Sequence, residues 1–563
     1  MSRSFLTEKE VTAMVNEDNI DDASDPEEDD NVVTYDSDTE YHREIESDSS
    51  SRSSSPDQQH ASTSNIAVIA RSGREYTTAP PRQVRRSVQN IVSFHEGLTN
   101  EGLTSNASES FKKFITPEIV NIIVHHTNEE ASIRNLKLTN TEELYAFIGI
   151  LILMGANNDS ELPIDDLWGK VLGKNIYTAT MSRIRFGELL SLIRFDDKQT
   201  RTERRKQDKF CPIREVFYKI DELFVKYYIP RCYRMYTRYI LKMEVYAGKD
   251  ERPAEERTAK AVVRRLVKPL EGTGRNVTTD RYYTSIELAE ELYNDDKLTL
   301  VGTLKSNRKH IPEELKKTQG RELYSSRFLF TDPKTGKAPV TLVSYITRLK
   351  PTKNLLLLST QHNDRKVDES TEKKKTDVNL YYNETKGGID SIDQMTRHHS
   401  VKRGTRRWPL SIFFTLIDIA CLNGGTIFMK NNPDWNKKKH NVRRLCMLEL
   451  GQQLVRPVVE ERAKNTIGLQ KPIISAIESV LGKTLPSTSV VVPSGSVQVY
   501  LNMIRCVQMC IDAEGEPLSI SPMKNDVLNL LNQIGTMAAY RSVDQPSTST
   551  AELEANDVDE LLL

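Results

Sequence analysis

The sequence predicts an α/β core set between all-α segments, with polar tails at both ends. Apolar residues recur at helical spacing from about residue 105 to 230, and β-branched runs alternate with helical segments beyond Pro230. Residues 1–104 and 485–563 carry too few large apolar side chains to build a core of their own. At 563 residues the chain exceeds what one core holds, since single cores stop growing near ~250 to 300 residues, so several domains are expected.

The first segment, 1–104, opens with an acidic, Ser-rich stretch. Between Asp21 and Asp48 thirteen acidic residues face one Arg, a net of −12. Burial there cannot offset the entropy of ordering, so the stretch reads as a disordered tail. Arg71, Arg74, Arg82, Arg85 and Arg86 follow around Pro80-Pro81. A solvated linker is the plain reading of these, and a nuclear-import or DNA-contacting arm the alternative. The last thirteen residues add five acidic groups and no base, so a formal charge of −1 for the whole chain leaves +16 for everything between and around the two acidic segments. A basic body is what a phosphate-binding protein presents.

Segment 105–230 reads as an all-α domain. Phe111, Phe114, Ile115, Ile119, Ile122 and Ile123 recur at three- and four-residue steps, and Thr139 with Glu142 suits a capping box. Segment 231–435 reads as α/β, with β-type runs at Tyr239–Tyr246, Leu298–Leu304, Val340–Ile346 and Leu355–Leu358 and helices at Ser285–Leu292, Gly388–Met395 and after Trp408-Pro409. Segment 436–484 is helical again. The tail 485–563 holds two short helical patterns, Val497–Ile511 and Asn525–Met537.

Six scattered cysteines and no signal-peptide pattern at Met1–Glu10 indicate a reduced intracellular compartment. Leu144–Ala156 is too short to span a bilayer, and Leu410–Phe428 carries Asp418, Asn423 and a Gly pair, so both read as buried helices and no membrane partner is expected. Cys506 and Cys510 have no second Cys or His pair nearby, and two ligands do not make a structural zinc site.

Val277-Thr278-Thr279-Asp280 is a β-branched run that sets a carboxylate at a strand tip, and Gly387-Gly388-Ile389-Asp390-Ser391-Ile392-Asp393 sets two more on one helix face. Carboxylates gathered from different elements suit Mg²⁺, and a pair of such ions suits phosphodiester cleavage. The same residues also suit a helix cap and a first-turn dipole partner. The residues alone leave both readings open.

A longer pattern resembles the piggyBac-family transposases. Its elements are Ser191-Leu192-Ile193-Arg194-Phe195-Asp196-Asp197, Val301 to Lys309 running into Ile311-Pro312, Tyr381-Tyr382-Asn383-Glu384-Thr385-Lys386-Gly387-Gly388-Ile389-Asp390, and Arg407-Trp408-Pro409. The likeness extends from about Ser105 to Leu481. It implies a ribonuclease H-like core, 231–435, interrupted by an insertion at about 311–377. Helical dimerisation and DNA-binding segments flank the core at 105–230 and 436–484. It further implies excision through hairpinned ends, reinsertion at TTAA, double-stranded DNA as partner, a homodimer and a nuclear location.

Carried over residue by residue, the resemblance makes Asp280 the second catalytic aspartate, Asp390 the third and Asp393 an additional one, with Asp280 and Asp390 as Mg²⁺ ligands. The first aspartate has no counterpart. In the family an Ile-Pro like Ile229-Pro230 leads into a strand bearing Asp-Glu-Gln, whereas here Pro230 joins Arg231-Cys232-Tyr233-Arg234-Met235-Tyr236 directly. The first core strand is therefore expected to be missing together with its carboxylate, weakening the two-metal site. Asp221 and Glu222 read as a solvated helix face rather than as substitutes, and Asp250 as equally unsuited.

Lys402, Arg403, Arg406 and Arg407 before Trp408, and Lys437, Lys438, Lys439, Arg443 and Arg444 after Trp435, form two basic clusters expected to meet DNA phosphates. Lys305, Arg308 and Lys309 form a third. Two functions follow: a piggyBac-like cut-and-paste transposase with impaired catalysis, or a transposase-derived DNA-binding or protein-interaction protein without strand transfer.

Overall fold

Polar caps start the helices. The side chains of Asn106, Ser182, Thr258, Ser285 and Thr376 each accept the backbone N–H three residues on, satisfying donors that a helix leaves unpaired at its first turn. The computed structural model describes residues 67–81, 97–169, 171–229, 239–246, 252–331 and 338–485. In chain order they form β1 (Ala67–Ile69), β2 (Glu75–Thr77), β3 (Gly97–Leu98), α1 (Ala107–Lys112), α2 (Pro117–Ile133), α3 (Thr141–Ala156), α4 (Asn175–Thr180), α5 (Arg183–Leu192), α6 (Arg214–Phe224) and β4 (Tyr228–Ile229). There follow α7 (Ala259–Val267), β5 (Asn276–Thr279), α8 (Ile286–Asn294), β6 (Thr299–Thr303), β7 (Ser326–Phe330), β8 (Thr341–Leu349), β9 (Thr352–Ser359), α9 (Asp377–Lys386), α10 (Gly388–His398), α11 (Trp408–Asn431), α12 (Val442–Lys464) and α13 (Lys471–Leu481), with an unlabelled exposed helix at Arg201–Gln207 and shorter helical turns between.

The chain divides into two compact units, one of residues 1–119, 152–160 and 195–450, the other of 120–151, 161–194 and 451–563. The second unit is helical. Its α4 and α13 pack through Ala179, Ala476 and Ile477, joined by Val459. Phe186 of α5 lies 5.1 Å from Phe147 and 5.0 Å from Trp168 between ring centroids. Gly149 is needed there, because a Cβ would stand 2.8 Å from Val455 Cγ1. The expected cap of α3 moves by one residue: Asn140 Oδ1 accepts Glu143 N at 2.8 Å, while Thr139 Oγ1 donates to the Glu143 carboxylate.

The first unit holds a seven-stranded sheet in the order β1-β2-β7-β8-β9-β6-β5. Only β5 and β6 run parallel, joined by α8, and the other pairings are antiparallel. Side chains alternate across it with period two. Leu300, Leu342, Leu356 and Leu358 face α7 and α8, where Val263, Val267, Leu288 and Leu292 meet them. Val301, Val343 and Leu357 face α9 and Val378. The result is a three-layer α/β core.

Four expectations change. Tyr239–Tyr246 forms no strand, because side chains take up its backbone groups: Asn423 bonds both the N–H and the C=O of Ile240, at 2.9 and 2.8 Å, and Asp221 accepts Met243 N at 2.7 Å. Asp221 itself is buried, accepting Lys242 Nζ at 2.7 Å, and is not on a solvated face. Residues 326–359, expected in an insertion, continue the main sheet through the β6–β9 pairing. Residues 67–77, expected in the tail, form a hairpin at its far edge, where Arg74 pairs with Glu290 and Arg71 with Glu313 at 3.0 Å. Asp250, Arg82, Arg85, Arg86, Cys506, Cys510 and the two C-terminal helical patterns lie outside the described residues.

Helix α11 is long and apolar enough to cross a membrane, yet 72% of its most apolar window is buried inside the protein. Its polar residues are internal anchors. Asp418 accepts Ser400 Oγ at 2.7 Å and Val401 N at 2.9 Å, Asn423 holds Ile240, and a Cβ on Gly424 would stand 3.1 Å from Phe111 Cα in α1.

Candidate active site

Asp280 stands exposed at the C-terminal tip of β5, the end of a parallel strand where a following helix leaves an open crevice. Its Oδ1 accepts the N–H groups of Tyr282 at 3.0 Å and Tyr283 at 3.1 Å, so the carboxylate folds into the turn that follows it. Thr284 closes the turn, its N and Oγ1 donating to Asp280 O at 3.0 and 2.6 Å, with Oγ1 also 2.7 Å from Thr279 Oγ1. Gly302 of β6 makes room for this clamp. A Cβ there would lie 2.2 Å from Thr284 Oγ1 and 2.7 Å from Thr279 O.

Threonine also ties β5 and β6 to α9, the helix that leads into the one bearing the other aspartates. Thr278 Oγ1 donates to Thr385 Oγ1 of α9 at 2.8 Å, and Thr303 Oγ1 lies 3.4 Å from Tyr382 Oη. Helix α9 ends at Gly387, which serves as the N-cap residue of α10. Asp390 lies in the first turn of α10, and Asp393 lies one turn on, 3.7 Å from Arg397; both are exposed.

These three carboxylates are the right donor type for Mg²⁺. Among the described residues the group of three with ligand atoms within 4.8 Å of one another is His125, His126 and Glu129 on α2; Asp280, Asp390 and Asp393 do not form so tight a group. Asp280 Oδ1 is taken by two amides, and Asp393 lies 3.7 Å from Arg397, so on these two residues part of the oxygen set is already engaged. A further carboxylate, Glu244, is near enough to Tyr283 to join burial, Asp280 and Tyr282 in raising that phenol's pKa. Glu244 is itself clamped by Arg265, at 2.7 and 3.0 Å, and by Arg252 at 3.0 Å; burial works against its ionisation, but the two guanidinium groups hold its pKa below the ordinary range. A carboxylate so engaged is a structural ion-pair partner.

On β5's outer side, no strand pairs with it among the described residues; β6 is its sole ladder partner.

The basic clusters divide by exposure. Lys402, Arg406, Lys437, Lys438 and Lys439 face solvent. Arg403 is buried against Met154 Sδ, Arg443 donates to Met395 O, and Arg444 donates to Ala156 O at 2.7 Å and to Asn157 Oδ1 at 3.1 Å. Arg407 is half-buried at the N-cap of α11, and Trp408 stacks on Phe210 at 6.1 Å. In the third cluster Lys305 lies 5.5 Å from the Tyr282 ring, beside the Asp280 turn.

The profile of the transposase IS4 family matches residues 106–235 and 231–424. The cryo-EM structure of a piggyBac transposase synaptic complex with hairpin DNA superposes with a TM-score of 0.64 and 30% identity, covering 72% of this chain and 92% of that one. The chain belongs to the piggyBac family of transposases. Its core is thereby of the ribonuclease H-like transposase type. The two matched segments overlap at residues 231–235, the stretch that follows Pro230. The sequence signals singled out Asp280, Asp390 and Asp393 as candidates and left Gly302 and the Thr278–Thr385 tie unmarked, because a glycine or threonine inside a strand carries no mark of what approaches it. Asp221 was legible in principle: it falls between Phe217 and Phe224 on the apolar face of α6.

Proposed function

We propose that this chain is a piggyBac-type protein that keeps DNA binding and has lost efficient strand cleavage. The observation that supports this most is the position of β5. The strand bearing Asp280 ends the sheet among the described residues, and none of those residues forms a neighbouring strand that could bring a further carboxylate to it. The sequence gives the same reading, since Pro230 runs directly into Arg231-Cys232. A site reduced to Asp280, Asp390 and Asp393 offers too few converging oxygens for paired Mg²⁺ ions.

The partner is double-stranded DNA, held by Lys402, Arg406, Lys437, Lys438 and Lys439 on the surface of the first unit. The piggyBac relative was captured with hairpin DNA, which makes transposon ends and TTAA targets the DNA to test. A nuclear location and a homodimer belong to the same reading. The test is duplex binding by the full-length chain over a salt series. Affinity that falls linearly in log–log form with rising salt supports DNA binding. No measurable affinity at low salt would leave a protein-interaction remnant instead.

A further inference from the structure

A cleft of about 620 Å³ lies in the first unit beside β7, away from the aspartates, with apolar walls from Val68, Leu315 and Leu329, and with cations from Arg327, Arg365 and Lys374 outnumbering the one carboxylate, Glu314. Its floor is an open sheet edge. Thr331 N donates to Val340 O at 3.0 Å, which fixes the alternation along β7: Arg327 and Leu329 exchange bonds with β8, while Ser326, Phe328 and Phe330 direct theirs the other way. Phe330 meets Thr77 of β2, the one position at which those strands pair. Beyond it the chain runs Thr78-Ala79-Pro80-Pro81, and two prolines in succession supply no N–H for a ladder. Among the described residues no backbone partner stands beside Ser326 or Phe328, and Ser326 Oγ is buried without a hydrogen bond.

We propose that this edge is completed by the chain's own Asn31-Val32-Val33-Thr34-Tyr35 segment, added as a strand beside β7. The sequence matches the cleft in three ways. Val32, Val33, Thr34 and Tyr35 are strand-forming residues in an otherwise polar stretch. Asp29 and Asp30 before them and Asp36 and Asp38 after them complement Arg327, Arg365 and Lys374. The N-terminal chain also enters the structure at the cleft itself, since Val68 of β1 is part of the wall. The 31 residues between Tyr35 and Ala67 reach about 30 Å as a coil, enough to return to the wall they lead into. The added strand bonds the outward N–H and C=O groups of Ser326 and Phe328, and Val33 and Tyr35 share one face of it.

The test is amide hydrogen exchange of the full-length chain, read at Ser326 and Phe328. The amides exchange slowly in the unaltered protein and at least about tenfold faster in Val33→Pro with Tyr35→Pro, which removes two donors from the strand without touching the folded body. Lys374→Glu gives a smaller acceleration. Fast exchange in the unaltered protein overturns the proposal. Slow exchange that survives the proline pair overturns it as well, and if that protection rises with protein concentration the occupant is a second copy.

Discussion

Asp221 and Gly302 show how single residues hold the site's surroundings. Removing the Asp221 carboxylate leaves Lys242 Nζ and Met243 N without their acceptor in a buried setting, which costs about 2 to 3 kcal/mol. Asp221→Ala is therefore expected to lower the urea midpoint clearly with an unchanged m-value, whereas Glu222→Ala is nearly silent. Gly302→Ala drives a methyl into Thr284 Oγ1 and Thr279 O, costing about 1 to 3 kcal/mol and loosening the turn that carries Asp280. Equilibrium unfolding checks the first effect, and faster amide exchange at Tyr282 and Tyr283 checks the second. At this scale the sequence showed its carboxylates well, because Asp at the end of a β-branched run is a visible signal. It hid close approaches, which depend on what another strand brings.

Among the elements, α11 joins an apolar span to anchoring polar groups. Burial pushes the Asp418 carboxyl up to about 7, against the hydrogen bonds from Ser400 and Val401 that favour its charge. A folded-state pKa above the unfolded value means that this group's stability contribution is full below its ordinary 3.8 and is lost as pH rises through about 7. His399, pushed down to about 4 chiefly by burial, slopes the other way and loses stability as pH falls from 6.5. Asp418→Asn should thus flatten the fall in melting temperature between pH 5 and 8; an unchanged slope would place the titration elsewhere.

The basic clusters are the second lesson at this scale. Spacing marked nine residues alike, yet Arg403, Arg443 and Arg444 are taken by Met154, Met395, Ala156 and Asn157. A run of charge in sequence does not show which members face inward. The joint change Lys437→Ala, Lys438→Ala and Lys439→Ala is expected to lower the salt slope of DNA binding by about 2 to 3 with stability unchanged. Arg444→Ala should instead lower the melting temperature.

For the molecule as a whole, the helical and α/β segments were legible from periodicity, and β6, β8, β9, α8 and α10 fall where alternation or helical spacing put them. The extent of the sheet was not. The β1–β2 hairpin joins it from a stretch that read as linker, and the 239–246 run stays out because Asn423 and Asp221 occupy its backbone groups. Both outcomes depend on partners hundreds or tens of residues away. The direct Pro230–Arg231 join is visible in the sequence, and among the described residues β6 is the one strand paired with β5.

The central claim is that this piggyBac-family chain binds DNA without cutting it. Full-length protein mixed with supercoiled plasmid bearing TTAA, in Mg²⁺ or Mn²⁺, tests it most directly. Retarded but intact plasmid is the predicted result; nicking that depends on the metal and is abolished by Asp280→Ala or Asp390→Ala would contradict it.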